Sequence, residues 1–376
     1  MSDEHSDPYA GLQDRLAKTT DAARAEAVAK RHARGGRTAR ENLADLTDGG
    51  ALSEYGQLAV AAQRTRREGD ALYADTAADA VITTVGPVNG HLFNSEQSQT
   101  ALIINDYSVL AGTQGYFHHR KIDRMLEVAE RDRLPIVMYT EGGGGRPGDT
   151  DVLVSMAGLN VPTFHRWAAL AGRVPRIAVN HGYCFAGNAA LFGAADLRIA
   201  TEASCIGMAG PAMIEGGGLG TWKPQDIGPV SVHRENGVVD IVVADEAEAT
   251  EVAKALLACV QGAVADWQAL DQSELAALMP TNRRYAFDVR KIIRHLFDTE
   301  SFIETRPDMG RAIVTGLARI EGCAVAVLAS DCRHLGGAID GESATKAAAL
   351  YTVSYTHLRA HETGRNVLWR ARLEKK

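Results

Sequence analysis

The sequence predicts an α/β fold built around a buried parallel sheet. Three observations predict it. Short apolar runs, at residues 134–140 and 176–180, lack polar alternation, as strands covered on both faces do. Helical patterns stand between these runs, so strand, helix and strand follow one another along the chain. Glycine-rich turns come directly after the strands.

Residues 1–48 read as a helical segment. Ala, Arg and Glu dominate 12–34, Gly35 and Gly36 interrupt the run, and it resumes over 38–46. Thr38 and Glu41 have the spacing of a capping box. Asp48, Gly49 and Gly50 end the helix. Residues 80–90 and 101–112 alternate like strands and are bounded by Gly, Pro and Asn. A helix over 115–131 sets Ile122, Met125, Leu126 and Ala129 at helical spacing. The strand at 134–140 runs straight into Glu141 and four glycines. Downstream come a strand at 176–180, a turn at 181–185, a small-residue helix at 186–195 and a strand at 196–200. An amphipathic helix follows over 246–267.

Residues 49–271 thus form a first domain, and 272–286, around Pro280, a linker. A second unit starts at 287. Its helix, 288–298, is followed by strand-like runs at 312–320 and 324–330, the beginning of another α/β unit that is cut short. From Val353 the pattern breaks. VSYTHLRAHET looks like a translated sequencing-adaptor sequence, so 353–376 is expected to be a non-native tail. The second domain, 287–352, is then expected to be truncated near Tyr351.

The 376 residues fit about two domains, and 45% apolar residues allow a sizeable core. A net charge of −7 argues against nucleic acid as the main partner. It leaves room for a small anionic ligand, which needs only local Arg or Lys. Cys184, Cys205, Cys259, Cys323 and Cys332 form no C-x-x-C pair, so no structural metal is expected and a reducing compartment is. The first residues lack the apolar core of a secretion signal. No stretch approaches the roughly 18 apolar residues of a membrane span, so the cytoplasm is the expected location and no membrane partner is expected.

Four motifs carry chemistry. Glu141 to Asp149 reads EGGGGRPGD, and consecutive glycines release the backbone for close ligand approach. Their N–H groups can converge on an anionic oxygen. The run matches neither G-x-G-x-x-G nor a G-K-[ST] phosphate loop, and a flexible surface loop is its plain alternative. Second, Ala186, Gly187 and Asn188 lie where a turn enters a helix, whose first N–H groups are unsatisfied and suit an enolate oxygen. The small residues there also suit plain helix–sheet packing. Third, Gly112 and Gly115 flank a helix start carrying His118, His119, Arg120 and Lys121. Cations there oppose the helix dipole and suggest ligand phosphates, unless they form a solvated face. Fourth, residues 207–211 and 216–220 add glycine-rich loops with Met208 and Gly210. No G-x-S-x-G elbow, H-E-x-x-H or catalytic cysteine context is present. The site is expected to work by oxyanion stabilisation.

NHGYCFAGNAALFGAADLRIATEA resembles the signature of the crotonase superfamily, whose members hold CoA thioesters and stabilise their enolates. Within it the chain resembles the β-type carboxyltransferase subunit of biotin-dependent acyl-CoA carboxylases over about residues 30–350. TARENLADLTDGGALSEYGQLA, the stretch from NDYSVLAGTQGYFHHRKIDRM to EGGGGRPGD, IGMAGPAMIE and the segment DVRKIIRHLFD to AVAVLAS carry that likeness. It implies a crotonase-like ββα superhelix as the N-terminal, acyl-CoA-binding domain, with the start of a second domain of the same type for biotin. It also implies transfer of a carboxyl group from carboxybiotin to the α-carbon of an acyl-CoA. The biotin ureido group takes the α-proton, and the enolate attacks the carboxyl carbon. Two oxyanion holes stabilise the developing charges.

On that likeness the first hole falls on Gly143 and Gly144, and the second lies in the C-terminal domain. Substrate contacts are expected from Gly112, Gly115, Lys121, Gly142, Gly145, Arg146, Phe185, Ala186, Gly187, Met208 and Gly210. Implied partners are acyl-CoA, biotin on a separate carrier domain or subunit, a biotin carboxylase subunit, and copies of the chain in a homo-oligomer, a dimer or higher. No metal is implied in this subunit. The chain alone is expected to be inactive and the full-length product active. Three alternatives stay open: a biotin-dependent acyl-CoA decarboxylase subunit, an enoyl-CoA hydratase or isomerase using Glu202, and an inactive CoA-binding fragment.

Overall fold

A computed structural model describes residues 8–50, 52–152, 161–282 and 284–358. The N-terminal segment is three helices, α1 (Pro8–Ala17), α2 (Ala25–His32) and α3 (Ala39–Leu46). The break between α1 and α2 has no glycine to signal it. The capping box forms as expected: Thr38 Oγ1 accepts from Glu41 N at 3.0 Å, and Thr38 N donates to Glu41 Oε2 at 2.7 Å.

The first domain then winds through repeated strand–short strand–helix turns. In order come β1 (Ser53–Glu54), α4 (Gly69–Asp75), β2 (Val81–Pro87), β3 (Gln99–Asn105), α5 (Tyr116–Asp132), β4 (Ile136–Tyr139) and α6 (Thr163–Ala169). They are followed by β5 (Arg176–Asn180), β6 (Tyr183–Phe185), α7 (Gly187–Gly193), β7 (Leu197–Thr201), β8 (Cys205–Gly207), α8 (Pro211–Gly216), α9 (Val230–Glu235), β9 (Ile241–Val243) and α10 (Glu246–Gln261). The main sheet runs β1-β2-β3-β4-β5-β7-β9. It is antiparallel from β1 to β3 and parallel from β3 to β9.

A second, smaller layer forms where each turn leaves the main sheet. Gln114 bridges Gly145, Gly142 bridges Cys184, and β6 pairs with β8, all in parallel. The expected turn at 181–185 is therefore half strand. This second layer makes the winding a ββα superhelix.

Both faces of the main sheet are covered. Ile103, Met138 and Ala178 pack against Ile122 and Met125 of α5, Trp167 of α6 and Phe192 of α7. Ile104, Val137, Tyr139 and Val179 pack against Leu46 of α3 and Leu256 of α10. Because of this, β2 and β3 are buried almost throughout and do not alternate as the sequence suggested. The helix expected over 246–267 stops at Gln261, because Gly262 takes φ 147°.

The linker holds a short 3₁₀ turn at Gln272–Leu278. Beyond it stand α11 (Val289–Leu296), β10 (Ile303–Thr305), β11 (Ile313–Ile320), β12 (Cys323–Ser330) and α12 (Gly341–His357). Strands β10, β11 and β12 form a separate antiparallel sheet, as β1, β2 and β3 do at the start of the first domain. Leu317 of β11 and Leu350 of α12 join the core on the α10 side of the main sheet. α12 continues past Val353, and Val353 and Leu358 pack on the same core. The rest of the expected tail, 359–376, lies outside the described residues.

Candidate active site

The four glycines leave the C-terminal end of β4 and run through the second layer. Gly142 N donates to Tyr183 O at 2.7 Å, and Phe185 N donates to Gly142 O at 2.9 Å. Gly143 N donates to Ala111 O at 3.0 Å, and Gly144 N donates to Asn188 Oδ1 at 3.0 Å. The two amides expected to form the oxyanion hole therefore both have partners within the protein. Gly145 differs. Gln114 N donates to Gly144 O at 2.7 Å and Arg146 N donates to Gln114 O at 2.9 Å. A parallel ladder of that pattern skips the residue between, so the N–H of Gly145 is left without an intramolecular partner among the described residues. Gly145 is exposed. Gly144 has φ 87°, and a Cβ there would stand 2.7 Å from Ala186 Cβ, so the loop lies directly against the start of α7.

Ala186 takes φ 50° and ψ −116°, a strained backbone for a residue with a side chain. Its N–H donates to Gly207 O at 2.9 Å, so Ala186 is not a free donor either. Its carbonyl accepts from Ala190 N and opens α7. Gly187 is the first helical residue, and its N–H has no acceptor within the helix. Ala111 is strained as well, at φ 52°. Non-glycine strain on both sides of the junction marks it as a functional candidate.

The remaining expected contacts divide. Gly112 and Gly115 permit close approach. A Cβ on Gly112 would stand 2.6 Å from Glu141 O, and one on Gly115 would strike Arg146 and Asp149. Both glycines are buried and let the loop pack closely. Arg146 is buried and paired with Asp79 and, at 2.9 Å, with Asp149. These ion pairs fasten the loop. Lys121 is buried, with Nζ donating to Ala78 O at 2.7 Å and to Val81 O. Burial pulls its pKa down to about 8. Phe185 is buried against Cys205 and Ile227 and stacks on Tyr183 at 5.8 Å. A Cβ on Gly210 would stand 3.5 Å from the Phe185 ring, and Met208 is exposed.

The basic helix start is not a phosphate cradle. His118 N and Nδ1 both bond Asp79, at 2.6 and 2.9 Å. Burial holds His118 well below its ordinary pKa and takes His119 down to about 4. His119 Nδ1 lies 3.0 Å from Thr163 Oγ1, which donates to Asp123 at 2.5 Å. The hydroxyl proton is thereby engaged, so Nδ1–H is the donor to Thr163. Arg120 is exposed and lies over the Tyr116 ring.

The sequence pattern did not reveal a buried charged group beneath the glycine loop. Arg31 of α2 pairs with Glu141 at 2.7 Å and Glu246 at 3.3 Å. His181 Nδ1 stands 3.3 Å from Glu141 and 3.4 Å from Glu246. Asn42 Nδ2 donates to Glu246 at 2.6 Å. These residues come from α2, α3, α10 and the ends of β4 and β5, too far apart in sequence for any local motif. Glu202, the carboxylate of the hydratase alternative, lies at the surface and pairs with Arg234 at 3.3 Å.

A ββα superhelix whose second layer ends in a glycine loop against a helix start is a crotonase-like fold. The chain belongs to the carboxyl transferase domain family, whose model matches residues 30–354. It is 27% identical over 355 residues to the biotin-dependent long chain acyl-coenzyme A carboxylase beta4 subunit of Mycobacterium tuberculosis, covering 91% of this chain and 65% of that one. It is 28% identical over 359 residues to the propionyl-CoA carboxylase beta chain of Saccharopolyspora erythraea, covering 90% and 63%. The chain thus spans somewhat less than two thirds of these curated relatives. Among solved structures, a single-chain, multi-domain long-chain acyl-CoA carboxylase superposes with TM-score 0.89 at 48% identity, covering 93% of this chain and 34% of that one. A transcarboxylase 12S structure shares the fold, with TM-score 0.79 at 22% identity, over 95% and 70%.

Proposed function

We propose that the chain is the acyl-CoA-binding part of a carboxyltransferase in an acyl-CoA carboxylase. The observation that carries this reading is the pair of glycine amides, Gly145 and Gly187, without partners among the described residues, on adjoining segments of a carboxyl transferase domain. Donors of that kind fit an oxygen that gains negative charge when a thioester becomes an enolate. Gly145 offers its N–H from the loop, and Gly187 offers its own from the start of α7. Ala111, Asn188 and Gln114 hold the loop in shape by engaging Gly143, Gly144 and Arg146. Biotin, carried on a partner domain or subunit, would supply the carboxyl group. The role of this chain's residues is to orient the thioester and stabilise its oxygen.

The named substrates of the relatives support acyl-CoA as the acceptor. The 48% identity with a long-chain acyl-CoA carboxylase favours longer chains within that class. The partners we propose are a biotin carrier, a biotin carboxylase and further copies of the carboxyltransferase. Within a chain of its relatives' full length, and mixed with a carboxylated biotin carrier and acyl-CoA, this part is expected to yield the α-carboxylated thioester by mass spectrometry. Hydration of crotonyl-CoA without any carboxylation would overturn the reading in favour of a hydratase.

A further inference from the structure

Gln114 is 1% exposed, yet its side chain makes no hydrogen bond among the described residues. Its Nε2 is buried and unsatisfied. Leaving a buried amide unpaired is unfavourable, and its persistence asks for an explanation. Its position supplies one. The Gln114 backbone brackets Gly145, through Gln114 N to Gly144 O at 2.7 Å and Arg146 N to Gln114 O at 2.9 Å. The Gln114 carboxamide lies over Gly187, where Oε1 would stand 2.2 Å from a Cβ on that residue. One residue therefore joins the two glycines whose amides have no partner among the described residues.

We infer that Gln114 is a specificity residue for the acyl thioester, a third hydrogen-bond donor beside Gly145 and Gly187. The terminal torsion of a glutamine amide is broad and roughly two-fold, so a small rotation presents Nε2 to an oxygen held at the junction. A neutral side-chain donor suits a thioester carbonyl, and the buried setting strengthens its bond to an oxygen that gains charge. The inference rests on the proposed acyl-CoA reading, but it has a signature of its own. A glutamine with a structural role would be satisfied by the protein and would weaken the fold when removed. The Gln114 carboxamide has no hydrogen bond among the described residues to lose.

Gln114→Met keeps the length and apolar volume of the side chain and removes both polar atoms. The experiment compares wild type and variant by calorimetric titration with acetyl-, propionyl- and octanoyl-CoA, each against CoA, and by thermal unfolding. The expected result is a three- to tenfold weaker Kd for the tightest thioester, an unchanged Kd for CoA, and a Tm that is unchanged or higher. An unchanged thioester-to-CoA ratio in the variant overturns the role of Gln114 and leaves the acyl-CoA reading standing. A lower Tm also overturns it, because it shows a partner inside the fold. Wild-type protein that fails to prefer any thioester over CoA removes the acyl-CoA reading, and this inference with it.

Discussion

His119 lies buried on α5 with Nδ1–H donating to Thr163 at 3.0 Å, and burial takes its pKa down to about 4 from an ordinary 6.5. Between those two values the unfolded chain binds a proton that the folded chain does not. Stability is therefore full above pH 6.5 and falls as the pH drops toward 4, by roughly 3 kcal/mol from this group at the lower end. Replacing His119 with Asn is expected to flatten that part of the profile in urea titrations at stepped pH. A variant as acid-sensitive as wild type across the window would refute the assignment. The same residue shows what a sequence conceals. HHRK at a helix start looks like a cation cluster for phosphate, because composition carries no burial. Burial leaves the two histidines neutral and gives Lys121 two backbone carbonyls.

At the scale of elements, the glycine loop depends on close packing with its neighbours. A Cβ on Gly142 would stand 2.4 Å from Gly112 O and 2.3 Å from Asn188 Nδ2. Backbone cannot yield as a flexible side chain does, so Gly142→Ala is expected to destabilise by about 1–3 kcal/mol. Thermal unfolding checks this, and an unchanged Tm would show that the loop is looser than described. Below the loop, Arg31 ties α2 to Glu141 and Glu246 at 2.7 and 3.3 Å. Arg31→Met leaves two buried carboxylates facing each other beside His181, and a loss of about 3–5 kcal/mol is expected in chemical denaturation.

The order of strands and helices was legible because buried parallel strands read as unbroken apolar runs. Glycine also marked the loop on which the candidate site is built. Which glycine amide has no internal partner was not legible. That depends on the register of Gln114 against Gly145, and on Ala111 and Asn188 reaching Gly143 and Gly144 from other turns of the superhelix.

Across the whole molecule, the second unit is bound into the first. Leu317 and Leu350 share the core of the main sheet, and Arg306 Nε meets Asp240 at 2.7 Å beside Arg198. Leu317→Ala is expected to cost about 2–5 kcal/mol and to shift one cooperative transition. Two separated transitions would show that the units unfold apart.

The central claim is that a thioester oxygen is held by the amides of Gly145 and Gly187. It is tested most directly with protein labelled with ¹⁵N at glycine and titrated with acyl-CoA and with CoA. The difference between the two ligands is expected to give its largest downfield amide shifts at Gly145 and Gly187, with Gly143 and Gly144 little moved. Shifts concentrated at Gly143 and Gly144, with Gly145 and Gly187 unmoved, would contradict the account.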